Sequence, residues 1–115
     1  MEVRERELRL YLMPDGRIPY LEWFDRLRDS DARQRIDARL ARMRLGNPGR
    51  TRSIGEGIQE LKIDYGPGYR VYLAEQDRMI VILLCGGDKR TQNADIAAAK
   101  SFWRAFKKEQ RNANR

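Results

Sequence analysis

The stretch Gln59-Glu-Leu-Lys-Ile-Asp-Tyr65, Gly66-Pro-Gly68, Tyr69-Arg-Val-Tyr-Leu-Ala-Glu75, Gln76-Asp-Arg78, Met79-Ile-Val-Ile-Leu-Leu-Cys85 decides the fold. It reads as three strands joined by two connections of hairpin length, so sequential strands are antiparallel neighbours. The run Met79–Cys85 is apolar on both faces, which places it inside the sheet. Side chains alternate along a strand, so Leu61, Ile63, Val71 and Leu73 turn towards helices while Lys62 and Asp64 turn away. With Tyr65 opposite Tyr69, Lys62 falls opposite Tyr72 and Asp64 opposite Arg70, and opposed residues share a face. One exposed surface is then expected to carry Lys62, Asp64, Arg70 and Tyr72, with Asp88, Lys89 and Arg90 at the end of the next strand. Cations beside an aromatic on an open sheet suit a phosphate backbone and a stacked base. The same residues also read as ordinary cross-strand ion pairs, worth about 0–1 kcal/mol when exposed.

Outward from this hairpin the period changes. Leu8, Leu10 and Leu12 alternate with Arg9 and Tyr11, as in a half-buried strand. Pro19 suits a first helical turn, and Tyr20, Trp23, Phe24 and Leu27 then form one apolar face. Ser30 or Asp31 is expected to cap a second helix with Ile36, Leu40 and Met43 inside and Arg33, Arg35, Arg39, Arg42 and Arg44 between them. Those arginines suit RNA, a partner protein or plain solvent equally. Gly46-Asn-Pro-Gly49 ends the helix. A short strand around Arg52–Glu56 is a further candidate. A last helix begins near Thr91 with Ile96, Ala99, Phe102, Trp103 and Phe106 as its apolar stripe, and residues 107–115 are expected to fray. The whole is expected to be one α+β domain over residues 1–115, with helices packed on a mostly antiparallel sheet.

Composition narrows the chemistry. The 115 residues carry 24 Lys+Arg against 17 Asp+Glu, a formal net charge of +7, which is the electrostatic footprint of a nucleic-acid partner. Histidine is absent and cysteine occurs once, which removes the commonest general base and the usual zinc ligands. Cys85 lies in an apolar run and reads as a buried small hydrophobe. No glycine-rich phosphate loop is present. The charged start Met1-Glu-Val-Arg-Glu-Arg-Glu7 lacks the apolar stretch of a signal peptide, so a cytoplasmic protein without membrane contact is expected.

The runs Gly55–Tyr72 and Leu83–Gln92, with their Gly-Tyr-Arg-Val-Tyr and Gly-Gly-Asp-Lys elements, resemble the addiction-module killer proteins of the RelE/ParE superfamily, and more narrowly their HigB-like branch. Tyr20–Gly46 is similar to the same family's helical hairpin. The resemblance implies a RelE-like fold and the toxin of a type II toxin–antitoxin pair. It implies a ribosome-dependent endoribonuclease that needs no cofactor or metal. Its partners would be a helix-turn-helix antitoxin and ribosome-bound mRNA, with DNA reached only through the antitoxin. Carried over residue by residue, Lys62, Arg70 and Lys89 would serve the scissile phosphate. Where some members place a tyrosine or histidine base near the last helix, this chain has Asp95 and Ile96, so the base stays open. Relatives that bind DNA gyrase, and a non-catalytic nucleic-acid-binding module, are the alternatives.

On that reading the RNA's own 2′-hydroxyl attacks the phosphate, which requires a base, cations on the phosphorane and an acid on the leaving oxygen. Arg70 is expected to stabilise the transition state as a bidentate donor on an exposed face, so its truncation would cost no more than about 0.5 kcal/mol. Lys62, crowded by cations, is expected to act as base. Lys89, with Arg90 behind it, would protonate the leaving group or hold the next phosphate, and Tyr65 or Tyr72 would stack a base, with Asp64, Asp88 and Arg90 also facing RNA.

Overall fold

The structure is a computed structural model and describes residues 5–114, so residues 1–4 of the charged start and residue 115 lie outside it. The elements are β1 (Glu7–Leu10), α1 (Pro19–Phe24), α2 (Ser30–Arg44), β2 (Thr51–Gly55), β3 (Ile58–Ile63), β4 (Tyr69–Glu75), β5 (Ile80–Gly87), a 3₁₀ turn (Lys89–Thr91) and α3 (Gln92–Ala113). One five-stranded sheet runs β1-β5-β4-β3-β2, with β1 parallel to β5 and the other neighbours antiparallel. The α+β class, the hairpins and an interior β5 agree with the expectation, and the candidate fourth strand of the second half is β2.

Both faces of the sheet are covered. On one, Tyr20, Ile36, Leu40 and Met43 from α1 and α2 meet Leu61, Ile63, Val71 and Leu73. On the other, Ala99 and Trp103 from α3 meet Ile58, Tyr72, Ala74, Ile82 and Leu84. The face expected to stay open therefore lies largely under α3, because Tyr72 and Ala74 give β4 an apolar second face. The same cover corrects β1: Tyr11 is buried against Phe102, with ring centroids 5.2 Å apart, while Leu10 and Leu12 are exposed. Asp29, rather than Ser30 or Asp31, caps α2, accepting from the backbone N–H groups of Asp31 and Ala32 at 3.0 and 3.2 Å. Nor does the tail fray at 107: α3 continues to Ala113, with Lys107 over the Trp103 ring at 5.6 Å and Gln110 accepting from Gln76 at 3.3 Å.

Gly86 and Gly87 let helices approach from both sides. A Cβ on Gly86 would lie 2.2 Å from the Trp23 ring, and one on Gly87 would lie 1.8 Å from the Asp95 carboxylate. Gly86→Ala should therefore overpack the α1 contact and lower the unfolding free energy by about 1–3 kcal/mol, read by urea titration. Unchanged stability would mean that Trp23 does not rest on this strand.

Candidate functional site

Residues 64–68 all belong to the β3–β4 turn, so Ile63 pairs with Tyr69, Lys62 with Arg70 and Glu60 with Tyr72. The expected register is thus displaced, though by an even step that keeps Lys62, Arg70 and Tyr72 on one face. Asp64 leaves the strand and becomes part of the turn.

Lys62, Arg70 and Lys89 come together with Asp64 and Tyr65 around one depression of about 380 Å³. Lys62 and Arg70 also border a second depression of about 350 Å³, with Arg50, Arg52, Glu60 and Gln92. The two hollows share a wall of cations. Together their linings hold five basic side chains, Arg50, Arg52, Lys62, Arg70 and Lys89, against two carboxylates, Glu60 and Asp64, which suits an anionic ligand.

Arg70 is not the exposed side chain that strand parity suggested. It is 6% exposed, held between the buried Glu60 carboxylate and the β3–β4 turn. Its Nη1 donates to the Gly68 carbonyl at 2.8 Å, and its Nε lies 3.7 Å from Glu60 Oε1 with no hydrogen bond. Nη2 has no hydrogen-bond partner among the described residues and is the nitrogen left for a ligand. The expectation of a nearly cost-free truncation therefore fails, since a buried charge with a buried partner is not an ordinary surface site.

Tyr72 is fully buried, and its hydroxyl donates to Glu60 Oε2 at 3.1 Å, so it has no ring face to offer a base. Burial first, and the Glu60 carboxylate second, hold its hydroxyl well above the usual phenol range. Tyr65 donates to Asp29 at 3.1 Å, and the Arg35 guanidinium covers its ring at 4.4 Å. That hydrogen bond raises its pKa. Lys62 is half-exposed; it lies among Arg50, Arg52, Arg70 and Lys89 as expected, and it also has an ion-pair partner in Asp64, with Nζ 3.4 Å from Oδ1.

Asp88 and Arg90 build the turn that presents Lys89. Asp88 Oδ1 accepts from the Arg90 backbone N–H at 2.8 Å, and Oδ2 pairs with the Arg90 side chain at 3.1 Å. Partial burial pushes the Asp88 carboxyl up, but its bonds from Arg90 bring it below the usual range. Asp95 faces Gly87 rather than the cations and accepts from Thr91; burial raises its carboxyl. Cys85 is buried and its thiol is pushed up to about 12 by desolvation, as suits a packing residue.

Sequence reasoning missed Glu60. This buried carboxylate accepts at Oε2 from Tyr72 and, at 2.9 Å, from Gln92 Nε2, while Arg52 lies 3.3 Å from Oε1. A strand face alternating Glu60 with Lys62, opposite Arg70 and Tyr72, was the available signal. Arg39 was also missed as a tether: it donates to the Lys62 carbonyl at 2.7 Å and the Arg50 carbonyl at 3.2 Å, fixing the cleft's rim from α2. Among the described residues no group of three or more His, Cys, Asp or Glu is placed to hold a metal ion, and no helix is long and apolar enough to cross a membrane.

An uncharacterized protein of Haemophilus influenzae is 51% identical over 78 residues, which cover 68% of this chain and 79% of that protein. No family model and no solved structure matches the chain.

Proposed function

We propose that this chain, which belongs to one family with the Haemophilus influenzae protein, is a RelE/HigB-like toxin that cleaves messenger RNA on the ribosome and is neutralised by a helix-turn-helix antitoxin. The observation that carries this reading is the convergence of Lys62, Arg70 and Lys89 on one depression in a chain of net charge +7. The mixed α+β architecture, with its helical hairpin and C-terminal helix, is compatible with the RelE-like fold.

In this mechanism the scissile phosphate sits between the two hollows. Arg70, held at Nη1 and beside Glu60, turns Nη2 towards a non-bridging oxygen, and Lys62 adds charge from across the β3–β4 ladder. The 2′-hydroxyl oxygen bonds to phosphorus, and the bond to the 5′-oxygen breaks. Lys89 delivers a proton to that leaving oxygen. The proton of the 2′-hydroxyl passes to a carboxylate of the cleft, for which Asp64 is the group at hand, rather than to Lys62. A cleft with so few conventional bases gains most from a partner that aligns the RNA, which accounts for ribosome dependence.

The test is cleavage of ribosome-bound mRNA by the purified protein, with analysis of the new ends. The expected products are a 2′,3′-cyclic phosphate or its 3′-phosphate hydrolysis product, and a 5′-hydroxyl. Products ending in 3′-hydroxyl and 5′-phosphate would overturn the mechanism, and intact mRNA would overturn the function.

A further inference from the structure

The hollow on the Glu60 side of Lys62 and Arg70 offers more than charge. Glu60 Oε2 accepts from Tyr72, Gln92 and, at 3.5 Å, Arg52 Nη2, whereas Oε1 accepts no hydrogen bond among the described residues and has only the Arg52 Nη2 charge 3.3 Å away. Gln92 spends its amide nitrogen on Glu60, so its amide oxygen is a second acceptor without a partner among the described residues. The Arg52 side chain, 62% exposed, spends Nη2 on Glu60 and leaves Nε and Nη1 as planar donors without a partner among the described residues on the same wall. Two acceptors beside a donor fork thus adjoin the phosphate-holding pair. Arg70 Nε, buried without a hydrogen bond, faces the same Oε1. The polar floor is therefore set but not saturated.

Among the four RNA bases, guanine presents two adjacent donors, N1–H and the 2-amino group, beside an acceptor, O6. Adenine puts a bare ring nitrogen next to its amino group, cytosine has one exocyclic donor, and uracil has one ring donor between two carbonyls. Unpaired bases are read on these edges in single-stranded RNA. We infer that the cleft bounded by Arg52, Glu60 and Gln92 is a guanine-selective subsite, with Glu60 Oε1 and the Gln92 amide oxygen accepting from N1–H and the 2-amino group while Arg52 donates to O6.

This inference rests on the proposed RNA site but is tested without cleavage. The four nucleoside 3′,5′-bisphosphates, which carry a phosphate on the 3′ and on the 5′ oxygen of the ribose, are titrated into the isotope-labelled full chain and followed by NMR. The guanosine compound should bind on the order of tenfold more tightly than the other three. Its shifts should centre on Arg52, Glu60 and Gln92. Arg52→Ala, at an exposed side chain, should leave the fold intact and reduce the preference to about twofold or less, while all four compounds still bind through their phosphates. Equal binding of all four by the native chain would overturn the subsite and leave the phosphate site standing. An undiminished preference in Arg52→Ala, or no binding of any compound, would overturn the subsite as well. Selective binding by a chain that cuts no RNA would retain the subsite and remove the nuclease reading.

Discussion

Arg70→Ala is expected to cripple RNA cleavage and to weaken the fold at the same time. The side chain is 6% exposed and lies against a carboxylate that is itself buried. Removing one partner of such a pair costs about 3–5 kcal/mol when the other charge is left alone. Here Glu60 keeps Tyr72, Gln92 and Arg52, so a loss of about 3 kcal/mol, at the low end, is expected by urea titration. Catalysis should fall further, by about 10²–10³-fold, because a fixed donor to the developing charge is gone. The rate is measured at a temperature where the variant is fully folded. Arg70→Lys separates the two effects. An ammonium keeps a charge near Glu60 but not the bond to the Gly68 carbonyl or the free Nη2, so stability should recover more than rate. A folded Arg70→Ala protein that cuts RNA at the native rate would remove Arg70 from the reaction. A variant as stable as the native chain would contradict the buried pair.

Lys62→Ala should give the opposite split. Its side chain is 43% exposed and its pair with Asp64 lies at 3.4 Å, so the expected loss of stability is at most about 1 kcal/mol. Arg39 bonds the backbone carbonyl of Lys62, not the side chain, so the rim of the cleft survives the substitution. Cleavage should nevertheless fall by about 10²-fold or more, since a cation facing the phosphate is lost. Melting temperature and initial cleavage rate, measured on one preparation, check both halves. A variant that cuts at the native rate would make Lys62 an ordinary member of a surface ion pair.

Much of the fold was legible because hydrophobic period and turn chemistry agree. Met79–Cys85 is apolar throughout and becomes an interior strand, and Pro19 opens α1. What parity cannot supply is loop length. Gly66-Pro67-Gly68 reads as the turn, but Asp64 and Tyr65 join it, so Lys62 meets Arg70 instead of Tyr72. Because the displacement is even, the shared face survived. Its exposure did not, since reading Tyr72 as a site residue hid the apolar pair Tyr72 and Ala74, on which α3 rests. Glu60 escaped notice for a related reason. A carboxylate in a strand reads as solvent-facing until its partners, Arg70 from the next strand and Gln92 from a helix remote in sequence, are seen beside it. Gly86 and Gly87 read in the sequence as part of a motif; their packing against Trp23 and Asp95 needs the tertiary structure.

Cleavage of RNA at the wall of Lys62 and Arg70 is what separates a nuclease from a protein that only binds anions. The most direct measurement is the mapping of mRNA 5′ ends in bacterial cells after induction of the native chain and of Lys62→Ala at matched protein levels. Cleavage at this wall predicts growth arrest with new ends inside translated reading frames for the native chain, and neither for Lys62→Ala. Growth arrest without new mRNA ends, or the same ends with both proteins, would contradict it.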